Sequence, residues 1–409
     1  MTPTHHPSIF APFTDEQGQA VIGGRRATDW LTNSSVPHFL YSNARLAARV
    51  AKLRQAMPAG LDLHFAVKSN PFAGFIKAVD PLVDGFDIAS IGELRRLIDA
   101  GCSIANVSFA GPGKTAQEIE EAVRHAVKII VESPHQLELC QRAGKKLGVK
   151  PRVMVRINDQ KSRPGGGLSM AGARTVFGWD INDFEARGAH LFSQCPDVEF
   201  WGLHLFFGSQ ILQTDAIRQA IETSVETIQQ LSLPGPPNLI NLGGGLGVPY
   251  GPKDAPLDLS DMTAPWTDAV EKLQTLYPGT RLCIELGRYI SATTGLYVME
   301  VLDKKTIGED CFVVCAGGLH HFSAATGNFG QVLKRNHPIA HATPNPDKFE
   351  TVTVTGPLCT PMDVFARNIA MPEVNIGDHI VVFQAGAYAA TASPGSFLSH
   401  PPAVELMVD

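Results

Sequence analysis

The sequence predicts an α/β chain in which a (β/α)8 barrel is followed by a mostly antiparallel β-domain. Two observations carry this. From about residue 38 to Gly287, short β-rich runs alternate with amphipathic stretches of helical length. After Gly287 the strand-like runs continue, but no long helices separate them. Strands that alternate with helices call for a parallel sheet with right-handed crossovers. Eight such units over roughly 250 residues match the size of a closed barrel.

The eight candidate strands are Leu61–Val67, Phe86–Ala89, Asn106–Phe109, Val127–Val131, Arg152–Ile157, Val198–Phe206, Asn238–Leu242 and Arg281–Glu285. Gly92–Ala100, Ala116–Ala126, Gln136–Leu147 and Asp215–Leu231 read as helices between them. Beyond the barrel, Leu296–Leu302, Cys311–Cys315, Thr351–Val354, His379–Phe383 and Val404–Val408 read as strands of the second domain. The expected division is residues 1–37 as an N-terminal segment joining the β-domain, 38–290 as the barrel and 291–409 as the β-domain. Asn158–Gly172, with glycines at 165, 166 and 167, reads as a mobile loop.

Composition narrows the function classes. A hydrophobic fraction of 44% and a charged fraction of 18% are those of an ordinary globular protein. The net charge of −6 gives no electrostatic reason to expect a nucleic-acid or acidic-membrane partner. No stretch approaches the ~18 uninterrupted apolar residues of a membrane span. The N-terminal MTPTHHPSIFAPF lacks the basic and apolar regions of a secretory signal. Seven scattered cysteines with no CxxC suggest reduced thiols and a cytoplasmic location, and no structural zinc site.

In a β/α-barrel the reactive groups stand at the C-terminal ends of the strands. The first strand ends in HFAVKSNP, where apolar neighbours would partly desolvate Lys68 and favour its neutral, nucleophilic amine. Such an amine forms Schiff bases, although a solvated rim lysine is the plainer reading of Lys68 alone. The seventh strand runs into NLGGGLG, where Gly243, Gly244 and Gly245 leave backbone N–H groups free to cradle a phosphate, or simply make a tight turn. The eighth ends in IELGRY, placing Glu285 and Arg288 three residues apart. A carboxylate there could keep the pyridine nitrogen of pyridoxal 5'-phosphate (PLP) protonated, and an arginine could grip its phosphate. By themselves the two equally describe a local ion pair. Together with Lys68 and the triple glycine on one rim they are far more specific.

FAVKSNP, GFDIASIGEL, SFAGPGKT, VRIND, FGSQ, LGGGLG, ELGRY, GPLC and GAY occur in an order that resembles the fold-type III PLP decarboxylases. That family includes the ornithine, arginine, diaminopimelate and carboxynorspermidine decarboxylases. The resemblance runs from about Val36 to Val408, and GLHHFSAATGNFGQV and GSFLSHPPAVE are most similar to its exosortase-associated and natural-product-pathway branch. It implies an alanine-racemase-like barrel, a C-terminal β-domain, PLP as cofactor and a homodimer whose two active sites draw on both subunits. It further implies that Lys68 carries PLP as a Schiff base and that Glu285 faces the pyridine nitrogen. Ser209, Gly243, Gly244, Gly245, Arg288 and Tyr388 would hold the phosphate, with Asp87, Glu93 and Arg156 lining the cofactor pocket. Cys359 would come from the partner subunit and protonate Cα after CO2 leaves, a step suited to a thiol of ordinary pKa ~8.5.

Departures from the family pattern bear on the substrate. Phe206 stands where better-known members place a histidine that stacks on the PLP ring; it can stack but brings no titratable nitrogen. Diamine-forming relatives carry acids for the substrate's distal ammonium where this chain has Thr360 and Ala316. Burying an unpartnered ammonium is costly. The expected substrate is therefore an amino acid with a neutral, acidic or carrier-tethered distal end, the carrier being an acyl carrier protein, with Tyr388 also near it. Rival readings are a diamino-acid decarboxylase of the ornithine, lysine, diaminopimelate or carboxynorspermidine type, an amino-acid racemase and a non-catalytic PLP-binding protein. No metal is expected: His320 and His321 are adjacent, and on a strand they would face opposite ways; a loop would lift that restriction, but the spacing places no third ligand. His204 reads as a barrel-interior histidine satisfied by hydrogen bonds, and Asp363 as an interface ion-pair partner.

Overall fold

The computed structural model describes residues 7–33, 35–159, 175–251, 253–327, 335–345 and 347–409. The loop expected over 158–172 therefore lies, from residue 160 on, outside the described residues. The chain divides into two compact units: Arg49–Gly247 with Leu257–Gly287, and Met1–Ala48 with Val248–Pro256 and Arg288–Asp409.

The strand β1, His38–Ser42, precedes the barrel. The barrel is built from β2 (Leu61–Ala66), β3 (Gly85–Ile88), β4 (Val107–Phe109), β5 (Lys128–Val131), β6 (Arg152–Asn158), β7 (Glu199–His204), β8 (Leu239–Asn241) and β9 (Arg281–Leu286). Each is parallel to the next, and β9 pairs with β2, which closes the ring. All eight strands fall where the sequence places them, within a residue or two. They are legible because strands covered on both faces need continuous apolar runs: β3, β4 and β5 are buried along their whole length. Several of the outer helices begin at local capping signals. Ser90 accepts from the Glu93 N–H, and Thr115 and Glu118 form a reciprocal capping box. Pro134–Leu147 starts on Ser133 and a proline and stops at Gly148, whose left-handed φ of 67° suits glycine.

In the other unit, β10 (Gly295–Ile307) is the central strand. It pairs antiparallel with β1, with β11 (Asp310–Cys315) and with β15 (His379–Val382). The short β12 (Ile339–His341) lies beyond β15, while β13 (Phe349–Thr355) and β14 (Val364–Pro372) extend the sheet beyond β11. The last strand, β16 (Val404–Val408), adds to β1 in parallel, and β11 with β13 is also parallel. Ile9, Phe13, Ala20, Ile22 and Ala27 of the N-terminal segment pack in one core with Leu40, Leu296, Val298, Val381, Phe383 and Val408.

β1, β12 and β14 were not anticipated as strands. Every residue of β1 is buried, so no alternation marks it. In β14 the pattern is broken at Arg367 and Asn368, both exposed, and Asn368 has a left-handed φ of 50°. The pairing register with β13 shifts around the same place.

Candidate active site

Lys68 lies in the 3-10 turn Val67–Ser69 directly after β2. The expected desolvation is not seen: Lys68 is exposed. The chain turns at the strand end, so the flanking Val67 and Ser69 are buried while the long lysine stem projects from the rim. Its Nζ is 6.0 Å from the centroid of the Phe206 ring, and Cζ of Arg156 is 5.4 Å from the same ring. Phe206 is thus an aromatic surface shared by two cations.

Glu285, at the end of β9, is buried, and its Oε2 accepts hydrogen bonds from His204 Nε2 at 3.0 Å and Asn241 Nδ2 at 3.1 Å. Burial alone would raise its pKa. His204, through its charge and its hydrogen bond, and the charges of Lys68 and Arg156 outweigh burial and hold the carboxyl below the usual carboxylate range. His204 is interior, as anticipated, but only half satisfied, because its Nδ1 is buried without a partner. Since a carboxylate only accepts, the hydrogen sits on Nε2.

Asp87, at the end of β3, is buried and accepts from Ser108 Oγ. Its other oxygen lies 3.6 Å from His64 Nδ1, beyond hydrogen-bond reach. Glu93 Oε2 accepts from the Ala89 N–H at 2.6 Å, and burial raises its pKa against that bond and the nearby Lys68. Arg156 is 6% exposed, with Nη1 3.7 Å from Glu132 Oε1. Glu132 in turn accepts from the Gly111 and Gly178 N–H groups, tying two loops to Arg156.

The triple glycine follows β8. Gly243 adopts φ 71° and Gly245 φ 102°. Its N–H placed on Asn241 Oδ1 at 2.8 Å, Gly243 leaves no room for a side chain, and a Cβ on Gly244 would overlap the Glu285 carbonyl oxygen. The backbone here is bare by necessity. Ser209 is half-buried on the segment that follows β7.

In the second unit, Arg288 donates from Nη1 to the Tyr250 hydroxyl at 3.2 Å, and its Cζ lies 4.6 Å from the Tyr388 ring centroid. Burial would lower its pKa, but the phenols of Tyr250 and Tyr388 raise it, so the guanidinium stays charged. Its Nε is buried with no hydrogen-bond partner. Tyr388 itself has a left-handed φ of 52°, a costly conformation for an aromatic residue. Cys359 is an exposed free thiol, and Thr360 and Ala316 are half-buried.

His320 and His321 lie in a turn, where adjacent histidines need not face apart, and their ring centroids are 3.8 Å apart. Among the described residues no group of three His, Cys, Asp or Glu could hold a metal ion. Asp363 is not turned outward as an ion-pair partner: it is 2% exposed and accepts the backbone N–H groups of Leu319 and Leu358. Sequence reading also passed over Asn241, Tyr250, Ser108 and Glu132. Asn241 and Glu132 had a usable signal, since one ends β8 and the other follows β5 directly.

A barrel with a rim lysine, a bare glycine turn and a buried carboxylate held ionised defines a class of PLP-binding enzymes. The chain belongs to the pyridoxal-dependent decarboxylases: residues 43–292 match that family's pyridoxal binding domain. It is 33% identical to the L-glutamyl-[BtrI acyl-carrier protein] decarboxylase of Niallia circulans, over 91% of this chain and 88% of that protein. To the 2-[(L-alanin-3-ylcarbamoyl)methyl]-2-hydroxybutanedioate decarboxylase of Staphylococcus aureus it is 31% identical, over 90% and 92%. The crystal structure of Helicobacter pylori diaminopimelate decarboxylase with L-lysine superposes with a TM-score of 0.78 at 25% identity, covering 92% of each chain. The protein is thus a PLP-dependent amino-acid decarboxylase of fold type III. Among the described residues, no helix is long and apolar enough to cross a membrane.

Proposed function

We propose that this enzyme removes the α-carboxylate of an amino acid whose far end is an acyl linkage, such as one to a carrier protein, in place of a free ammonium. The observation that carries the reading is the pair Thr360 and Ala316, which offer no charge to a distal cation. The names of two relatives agree with it: one acts on a glutamyl group borne by an acyl carrier protein, the other on an alanin-3-ylcarbamoyl compound.

The residues present fit PLP. The glycine turn is bare where a side chain would collide with backbone, and Arg288 Nε is a buried donor with no protein partner. Lys68 would carry the cofactor, Glu285 would face its ring nitrogen, and Ser209, Gly243, Gly244, Gly245, Arg288 and Tyr388 would hold its phosphate. PLP supplies the electron sink for the pair left on Cα when CO2 departs. The chain's own contribution is electrostatic and positional. His204 and Asn241 hold Glu285 ionised and oriented, so it presents a fixed negative charge. Phe206 gives the flat apolar surface beside which Lys68 and Arg156 are placed, and Asp87, Glu93 and Arg156 line the pocket. Cys359, an exposed thiol, would donate a proton to Cα in the site of a partner subunit.

The test is CO2 release from purified holoenzyme offered ornithine, lysine, glutamate and carrier-linked glutamate. Release from the carrier-linked substrate alone supports the reading, and turnover of free ornithine or lysine at ordinary enzyme rates ends it. Mixing Lys68→Ala and Cys359→Ala protomers tests the shared site: activity absent from either variant should return in the mixture.

A further inference from the structure

Asp363 makes two hydrogen bonds that reach two different loops. One oxygen accepts the Leu319 N–H at 2.6 Å and the other the Leu358 N–H at 2.9 Å. The first loop, Ala316–Leu319, follows β11, and the second, Gly356–Thr360, follows β13 and carries Cys359 and Thr360. The second loop also closes on Asp363 itself. Gly356 N–H donates to the Asp363 carbonyl at 3.0 Å, and Asp363 N–H reaches the Thr360 carbonyl at 3.4 Å.

Sterics close the same joint. A Cβ on Gly318, in the first loop, would overlap the Asp363 carboxylate, and so would one on Gly356, in the second. The carboxylate is therefore wedged between two glycines, with no water-exposed alternative for its oxygens at 2% exposure. The charged form loses solvation there, which raises the pKa, while the two N–H donors and the neighbouring His400 oppose that shift.

We propose that Asp363 is a positioning residue for the thiol: its carboxylate latches the loop bearing Cys359 and Thr360 to the loop bearing Ala316. The latch sets where the Cys359 sulfur stands relative to both positions expected to meet the substrate's far end. This deepens the proposed function and rests on Cys359 acting as the proton donor. Without the latch, two backbone N–H groups lose their partners in a buried place, and the first loop loses its tie to the second, although the backbone bond from the Gly356 N–H to the Asp363 carbonyl remains.

The test uses holoenzyme carrying Asp363→Ala or the isosteric Asp363→Asn, beside Cys359→Ala. Three quantities are read: bound PLP by absorbance, kcat and KM per bound PLP, and the alkylation rate of Cys359 resolved by peptide mass spectrometry as pH is varied. Asp363→Ala should bind PLP normally yet lose about a hundredfold in kcat, the scale of a 1 Å misplacement. Asp363→Asn should lose less, because one amide oxygen still accepts. In both, Cys359 should alkylate at least about threefold faster, as the loop loosens around an accessible thiol. If Asp363→Ala does not fold, the Asn variant and its alkylation rate decide alone. Wild-type kcat together with a wild-type alkylation rate would overturn the latch, even if the melting temperature fell. If Cys359→Ala keeps full kcat, the proton-donor reading fails instead, and the alkylation rate alone judges the latch.

Discussion

Replacing Glu285 with glutamine keeps the side chain's shape and removes its charge. In the structure one oxygen takes both hydrogen bonds, from His204 and Asn241. An amide oxygen can accept the same two, so geometry survives and only the charge assistance is lost. A bond to a charged group contributes about 1.5–3 kcal/mol and a neutral one about 0.5–1.5, so two bonds together lose about 2 kcal/mol. The pH dependence has a definite sign. Glu285 is held below its ordinary value of 4.5, chiefly by His204 against the opposing effect of burial. Its contribution to stability is therefore fully present above that ordinary value and is lost as pH falls through the lower folded value. Urea melts of apo-protein should show Glu285→Gln less stable by about 2 kcal/mol near neutrality. The gap should hold down to the ordinary carboxylate pKa and narrow below it. In holoenzyme the neutral amide can no longer favour a protonated ring nitrogen, and kcat should fall by about 3 kcal/mol, or about 150-fold. A pH-independent stability gap, or a kcat within about threefold of wild type, would refute the role given to this carboxylate.

Other substitutions probe the phosphate side. Gly244→Ala pushes a methyl into the Glu285 carbonyl oxygen, a backbone atom that cannot swing away. It should destabilise the fold by about 1–3 kcal/mol and weaken PLP retention, read by equilibrium dialysis; unchanged retention would detach the glycine turn from the cofactor. Arg288→Lys keeps the charge but loses the planar contact with Tyr388 and the bond to Tyr250. PLP dissociation should become about tenfold faster, because a point charge does not replace a planar fork.

The barrel was readable residue by residue because its strands are short continuous apolar runs set between helices with strong caps at Ser90, Thr115 and Ser133. The second unit was harder. Its strand β1 sits far from its partners β10 and β16 in the chain, and β14 bends at Asn368. The rim positions of Lys68, Glu285 and the glycines followed from strand ends. Their surroundings did not: His204 and Asn241 stand 81 and 44 residues from Glu285 and meet it only when β7, β8 and β9 pair side by side. Asp363 misled for a related reason. A carboxylate in a loop reads as a surface charge until the fold shows which backbone N–H groups it caps.

The central claim is that Lys68 carries the cofactor for decarboxylation. Borohydride reduction of holoenzyme, followed by peptide mass spectrometry, tests it most directly, since reduction fixes PLP to whichever lysine bears it. The expected result is a pyridoxyl adduct on Lys68 alone, with neither adduct nor CO2 release in Lys68→Ala. An adduct on another lysine, or CO2 release that survives Lys68→Ala, would contradict the claim.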